Sequence, residues 1–283
     1  MDKEYIIQHI RQSIKEDIPS FDHSSLACIA TDSQKKVKLM AKQEGILCGV
    51  DIFCMVFEEL NTQNDIKIER FMNDGDKLHY GDIILKISGN AINILSAERT
   101  ALNYIQLLSG IATTTAEYVA LLNGMHTQLL DTRKTTPSFR MLEKYAVKVG
   151  GAVNHRFGLS DMIMLKDNHI DFAGGISQAI NKTNKYLEDN NLNLKIEIEV
   201  RNFEELQQVL QTGKIHRIML DNFSPEDLKK AVGIINHRYE TEASGGINKT
   251  TLRTYAESGV DFISVGALTH HIFALDISLL ADI

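Results

Sequence analysis

Between positions 131 and 169 the chain carries Arg133, Lys134, Arg140, His155, Arg156, Lys166 and His169, spread over three stretches, DTRKTTPSFR, GGAVNHRFGLSDM and MLKDNH. Guanidinium forks bind carboxylates through two parallel hydrogen bonds, so convergent arginines suit a dicarboxylate or a phosphorylated ligand. Taken singly, each cation reads as solvated surface charge; their position beside apolar runs favours a shared site. The segment holds seven Lys/Arg against four Asp/Glu, a surplus of +3 in a chain of net charge −7, which leaves −10 elsewhere. A basic island in an acidic protein draws anions to one place.

Two further groups of residues carry possible chemistry. Glu199 and Asp221 each close a short apolar run. Carboxylates so placed either share one Mg2+, a hard cation that takes carboxylate and phosphate oxygens, or cap the helices that follow. Ser244-Gly245-Gly246 and Val265-Gly266-Ala267 each stand at the start of a following helical stretch. Small residues there let backbone N–H groups approach a phosphate, or simply make tight turns; two such sites on consecutive runs favour the phosphate cup.

These residues need a scaffold that brings the ends of separate runs together. From about residue 127 the sequence repeats a short apolar run followed by a helical stretch: TQLLD (127–131), DMIMLK (161–166), KIEIEV (195–200), RIMLD (217–221), YETEAS (239–244) and FISVG (262–266). Six such units predict an α/β fold, a TIM-like (β/α) barrel that is incomplete, with its active site at the C-terminal ends of the strands. Residues 1–110 lack this alternation. They read as an α+β domain: a helix at about 3–16, an extended stretch in VKLMAKQEGILCGV, a helix in DIFCMVFEELN, a turn at residues 73–76, a strand in GDIILKISG and a long helix in NILSAERTALNYIQLLSG. The expected domains are therefore 1–110, a catalytic barrel at 111–270, and a segment 271–283 that finishes the barrel or returns to the first domain, the second reading being favoured.

Composition excludes several classes. At 283 residues, 43% hydrophobic and 24% charged, the chain is long enough for one large core or two modest ones. A net negative charge disfavours a non-specific nucleic-acid binder. Cys28, Cys48 and Cys54 form no CxxC pair, which argues against a zinc site or a disulfide framework and for a reducing cytoplasm. No stretch has the length of a membrane span, and the N-terminus lacks the pattern of a targeting peptide.

The blocks SAERTALNYIQLLSGIAT, DTRKTTP, EKYAVKVGGAVNHRFGL, LKDNH, IEIEV, MLDN, EASGGIN and YAESGVDFISVGALTH, in this order over roughly residues 40–280, resemble quinolinate phosphoribosyltransferases. The resemblance implies transfer of ribose 5-phosphate from phosphoribosyl pyrophosphate to quinolinate, with loss of pyrophosphate and carbon dioxide, to give nicotinate mononucleotide for NAD synthesis. It further implies that Thr132, Arg133, His155, Arg156 and Lys166 surround the quinolinate carboxylates, with Lys134 between them and the pyrophosphate. Glu199 and Asp221 would hold Mg2+ and the ribose hydroxyls, and Ser244, Gly245, Gly246, Val265, Gly266, Ala267 and His270 would line the phosphate. Lys134, Lys166, Glu199 and Asp221 are the implied catalytic set, with no organic cofactor. Arg99 resembles an arginine lent to the site of a neighbouring subunit, which implies a homodimer or an assembly of dimers.

The chain departs from the family pattern at Phe21 in EDIPSFDHSS, where glycine is expected, and at Ser138, which replaces a frequent glycine after TTP. Three other activities compete with this reading. A nicotinate phosphoribosyltransferase without decarboxylation needs fewer cations, a Schiff-base aldolase would use Lys166 as nucleophile, and a phosphometabolite-binding barrel would not turn over at all.

Overall fold

The computed structural model describes residues 2–61 and 65–282. Its internal contacts divide the chain into two compact units, one of Met1–Ala116, Met141–Gly151 and His271–Ile283, the other of Glu117–Arg140 and Ala152–His270.

In the first unit α1 (Lys3–Asp17) is capped by the Asp2 carboxylate and buries Ile6 and Ile10. The atypical EDIPSFDHSS segment folds as a cap. Asp22 accepts the Ser25 N–H at 3.0 Å and starts α2 (His23–Cys28), while Phe21 stays exposed. β1 (Gln34–Ala41), β2 (Gly45–Ile46), α3 (Val50–Leu60), β3 (Lys67–Arg70), β4 (Lys77–Leu78) and β5 (Ile83–Asn90) follow. Asp74, in the expected turn, accepts the N–H groups of Gly49 and Val50, both at 2.9 Å, and so anchors the start of α3.

The long helix, α4, spans Ala91–Leu121. It starts on Asn90, whose side chain accepts from Ile92 and Asn93. It outruns the expected end near 110 because residues 111–121 contain neither Gly nor Pro to stop it. The boundary at 110 therefore falls inside a helix and not in a linker. Gly110 itself is required by packing, since a Cβ there would lie 2.2 Å from the Phe273 carbonyl oxygen. α5 (Arg140–Val149) also contributes to the first unit, burying Leu142, Ala146 and Val147 together with Glu143 and Lys144. Of the seven Lys/Arg counted along the basic island, Lys144 and Lys148 belong to this unit and the other five to the second.

In the second unit each expected apolar run becomes a strand. β6 (Gln128–Leu130), β7 (Ile163–Leu165), β8 (Ile196–Val200), β9 (Arg217–Asp221), β10 (Glu240–Ser244) and β11 (Phe262–Ser264) form one parallel sheet in the order β6-β11-β10-β9-β8-β7. Helices α6 (Asp167–Ala173), α7 (Ile176–Asp189), α8 (Phe203–Thr212), α9 (Pro225–Ile235), α10 (Leu252–Ala256) and α11 (Ala267–His270) alternate with them. No ladder joins β6 to β7 among the described residues, so the barrel is open there. Val153 lies along the free edge of β6, its N–H on the Leu129 carbonyl at 2.9 Å.

Strand alternation then sorts the side chains. On β8, Ile196, Ile198 and Val200 point one way and Glu197 and Glu199 the other, and all five are buried. The last strand, β12 (Ile277–Ala281), pairs antiparallel with β1 and makes the edge of the first unit's sheet, β12-β1-β5-β3.

Candidate active site

Loops at the C-terminal ends of the parallel strands gather most of the residues singled out by sequence. After β6, buried Asp131 accepts the His155 backbone N–H at 2.8 Å, tying the loop that carries Arg133 to the one that carries Arg156. Thr132 accepts the Lys134 N–H at 3.0 Å and shapes the first of these loops. Arg140 is spent on its backbone, bonding the carbonyls of Arg133 and Phe157 and the Thr135 hydroxyl, so it serves as a loop clamp. Ser138 sits at φ 60°, a left-handed conformation that glycine takes without strain.

Arg133 and Arg156 are near enough for their charges to interact. Burial, and then the Arg133 charge, hold the Arg156 guanidinium below its ordinary pKa. Two guanidinium groups kept in mutual repulsion form a site that an anion would relieve. Lys166, at the end of β7, extends its ammonium to 3.4 Å from Glu199. His169, the last residue of MLKDNH, accepts the Lys166 N–H at 3.1 Å and caps α6.

Beside these cations the charge reverses. The Glu199 carboxyl is pushed above the ordinary carboxylate range, first by burial and also by the Asp221 charge, with Lys166 opposing. A pair of all-oxygen donors that repel each other suits a hard divalent cation. Asn222 follows in a left-handed conformation, φ 56°, and donates to Asp221 at 2.6 Å; it stood in the quoted MLDN block without a role.

Gly245 is tightly constrained: φ is +106°, and a Cβ there would fall 2.2 Å from the Asn222 side-chain oxygen. A Cβ on Gly266 would lie 2.7 Å from His270 Nε2 and 3.2 Å from Lys134 Cδ, so Lys134, Gly266 and His270 converge. The Thr269 hydroxyl bonds the Lys134 carbonyl at 2.7 Å and fixes that convergence. Ser244, Gly246 and Ala267 lie at the same strand ends, partly or fully exposed.

Three expected site residues sit differently. Val265 is buried and its N–H is committed to the Leu130 carbonyl at 3.0 Å, so it extends the sheet and offers no donor to a phosphate. His155 turns its ring into the barrel. Nδ1 accepts the Arg156 N–H at 2.7 Å and Nε2 lies 3.0 Å from Glu197, so neither ring nitrogen faces a ligand at the mouth. Arg99 belongs to the first unit, exposed on α4.

Comparison with known proteins accounts for nearly the whole chain. Residues 22–109 match the N-terminal domain of quinolinate phosphoribosyl transferase, and residues 111–280 match its C-terminal domain. The mitochondrial decarboxylating quinolinate phosphoribosyltransferase 2 of Nicotiana glauca is 42% identical, over 98% of this chain and 83% of its own length. The chloroplastic carboxylating nicotinate-nucleotide pyrophosphorylase of Arabidopsis thaliana is also 42% identical, over 92% of this chain and 78% of its own. The solved structure of the nicotinate-nucleotide pyrophosphorylase from Francisella tularensis is 41% identical with a TM-score of 0.93, covering 100% of this chain and 98% of that one.

Proposed function

Because this chain belongs to the quinolinate phosphoribosyl transferase family, we propose that Arg133, Arg156 and Lys166 hold the two carboxylates of quinolinate while the adjoining loops hold phosphoribosyl pyrophosphate. The chain transfers the phosphoribosyl group to quinolinate with decarboxylation, giving nicotinate mononucleotide, pyrophosphate and carbon dioxide. The observation that carries the reading is the meeting of two opposite charge traps, with Lys166 of the cationic set 3.4 Å from Glu199: Arg156 depressed by burial and by Arg133, and Glu199 raised by burial and by Asp221. One is relieved by an anion and the other by a cation.

Lys134, beside Gly266 and His270, meets the pyrophosphate, and the backbone at Ser244, Gly245, Gly246 and Ala267 receives the 5-phosphate. Glu199 and Asp221 would hold Mg2+, which when bound neutralises charge on the departing pyrophosphate. As the C1–oxygen bond breaks, positive charge grows on the ribose, and Glu199 and Asp221 stand where it is stabilised. The pyridine nitrogen of quinolinate, oriented by Arg133 and Arg156 through its carboxylates, bonds to C1. The ring nitrogen is then cationic and accepts the electron pair of the adjacent C–CO2 bond, so carbon dioxide leaves and a proton takes its place on the ring. The protein's part in that step is to hold the other carboxylate and exclude water.

The same reading makes Arg99 a residue lent by a second copy in a homodimer, and it places the protein in the cytoplasm, where three free cysteines are at home. No helix among the described residues is long and apolar enough to cross a membrane. The test is incubation with Mg2+, phosphoribosyl pyrophosphate and either quinolinate or nicotinate. Nicotinate mononucleotide and carbon dioxide are expected from quinolinate; their absence, or product from nicotinate alone, overturns the reading.

A further inference from the structure

The inward faces of β8, β9 and β10 carry charge where barrels of this kind usually pack branched apolar side chains. Arg217 stands across the ladder from Glu197 on one side and Glu240 on the other. Its guanidinium bonds Glu240 at 3.0 Å and Glu242 at 3.0 Å, and lies 4.1 Å from the centre of the Phe262 ring. Above it, His155 Nε2 sits 3.0 Å from Glu197 and 3.5 Å from Glu242, between the two rather than squarely on either. Both carboxylates are wholly buried and the His155 side chain is 6% exposed.

Burying ions costs several kcal/mol each, and well-packed apolar residues of similar volume often serve stability as well or better. Stability alone therefore gives no reason for these four groups. His155, Glu197 and Glu242 also have the make-up of a metal site, their ligand atoms lying within 4.8 Å of one another. The Arg217 guanidinium already supplies positive charge to that cluster, bonding Glu242 at 3.0 Å. Nδ1 accepts the Arg156 N–H, so the ring's one proton sits on Nε2, towards the two carboxylates.

We infer that Glu197, Glu242 and Arg217 are positioning residues for the dicarboxylate: Glu197 and Glu242, the latter held by Arg217, flank the inward-turned His155 ring and so hold Arg156 against the repulsion of Arg133. The path is short. The His155 ring accepts the Arg156 N–H at 2.7 Å, and the His155 N–H binds Asp131 at 2.8 Å, two positions before Arg133. His155 thus acts through Arg156 and not on the substrate. This inference rests on the quinolinate reading given above.

The test measures calorimetric affinities of the full-length protein for quinolinate and for phosphoribosyl pyrophosphate with Mg2+. Glu242→Gln keeps size and removes one charge; it is expected to weaken quinolinate about 10- to 100-fold, the scale of a small misplacement of a binding group, and to change phosphoribosyl pyrophosphate less than about twofold. An unchanged quinolinate affinity, or an equal loss for both ligands, overturns the inference. His155→Ala removes the acceptor for Arg156 and decides if Glu242→Gln does not fold: it is expected to weaken quinolinate about 10-fold or more, and an unchanged affinity overturns the inference. His155→Gln retains an acceptor for Arg156 and a donor for Glu197 and is the rescuing variant. It is expected to stay within about threefold of the native quinolinate affinity, which is about 0.65 kcal/mol. A loss for His155→Gln as large as for Arg156→Ala would instead mean that the imidazole touches substrate. Turnover by the unaltered protein tests the functional reading separately.

Discussion

The site's two arginines are unequal, and the difference is measurable. Arg156 is half-buried, bonds the Met162 carbonyl at 3.3 Å and feels both the Arg133 and the Glu197 charge, whereas Arg133 is exposed on its loop. Arg156→Ala is therefore expected to weaken quinolinate by about 2–5 kcal/mol, the cost of removing one partner of a desolvated charge pair, and Arg133→Ala by the lower end of that range. A titration showing Arg156→Ala to bind quinolinate normally would remove it from the site. Residue types alone made Arg133, Arg156 and Lys166 legible, because cations beside apolar runs are unusual. They did not reveal that Arg140 is consumed by its own loop or that His155 faces inward. Those outcomes depend on which carbonyls and carboxylates the fold brings near, and sequence spacing does not carry that information.

At the scale of elements, the strand ends set the backbone that meets phosphate. Gly245 has both a left-handed φ and an Asn222 side chain packed into the space of its missing Cβ. Gly245→Ala must strain the backbone and displace Asn222, which bonds Asp221. We expect a loss of about 1–3 kcal/mol of stability from backbone strain, seen in urea unfolding, together with a raised KM for phosphoribosyl pyrophosphate. A variant with native stability and native KM would show that the loop relaxes freely. The six parallel strands were legible because each is a short apolar run bounded by polar residues. Their inward faces were harder to read. In KIEIEV and YETEAS the period-two glutamates mark one face of a strand, but nothing in the alternation says that the face lies inside a barrel and is paired with Arg217. β2 and β4, two residues each, are too short to leave any periodic trace.

The whole molecule is less legible still, because its first unit is assembled from three separated stretches of chain. α5 buries Glu143 and Lys144, and the C-terminal ISLLA joins a sheet whose partner strand lies more than two hundred residues earlier. Assembly beyond one chain rests on Arg99, exposed on α4 and four positions before Asn103 in a helix that otherwise buries Ala97, Ala101 and Leu102. If Arg99 completes the site of a second copy, a closed two-fold dimer has two equivalent sites, each built from both chains. Arg99→Ala spoils the site a chain lends to, and Lys166→Ala spoils the site in its own barrel. In a mixed dimer both defects fall in one site and the other is intact. Coexpressed in equal amounts and pairing at random, the two inactive variants should recover about a quarter of the native activity, from one good site in half of the dimers. Coexpression that recovers nothing, in samples where mass spectrometry detects mixed dimers, would place Arg99 outside the shared site.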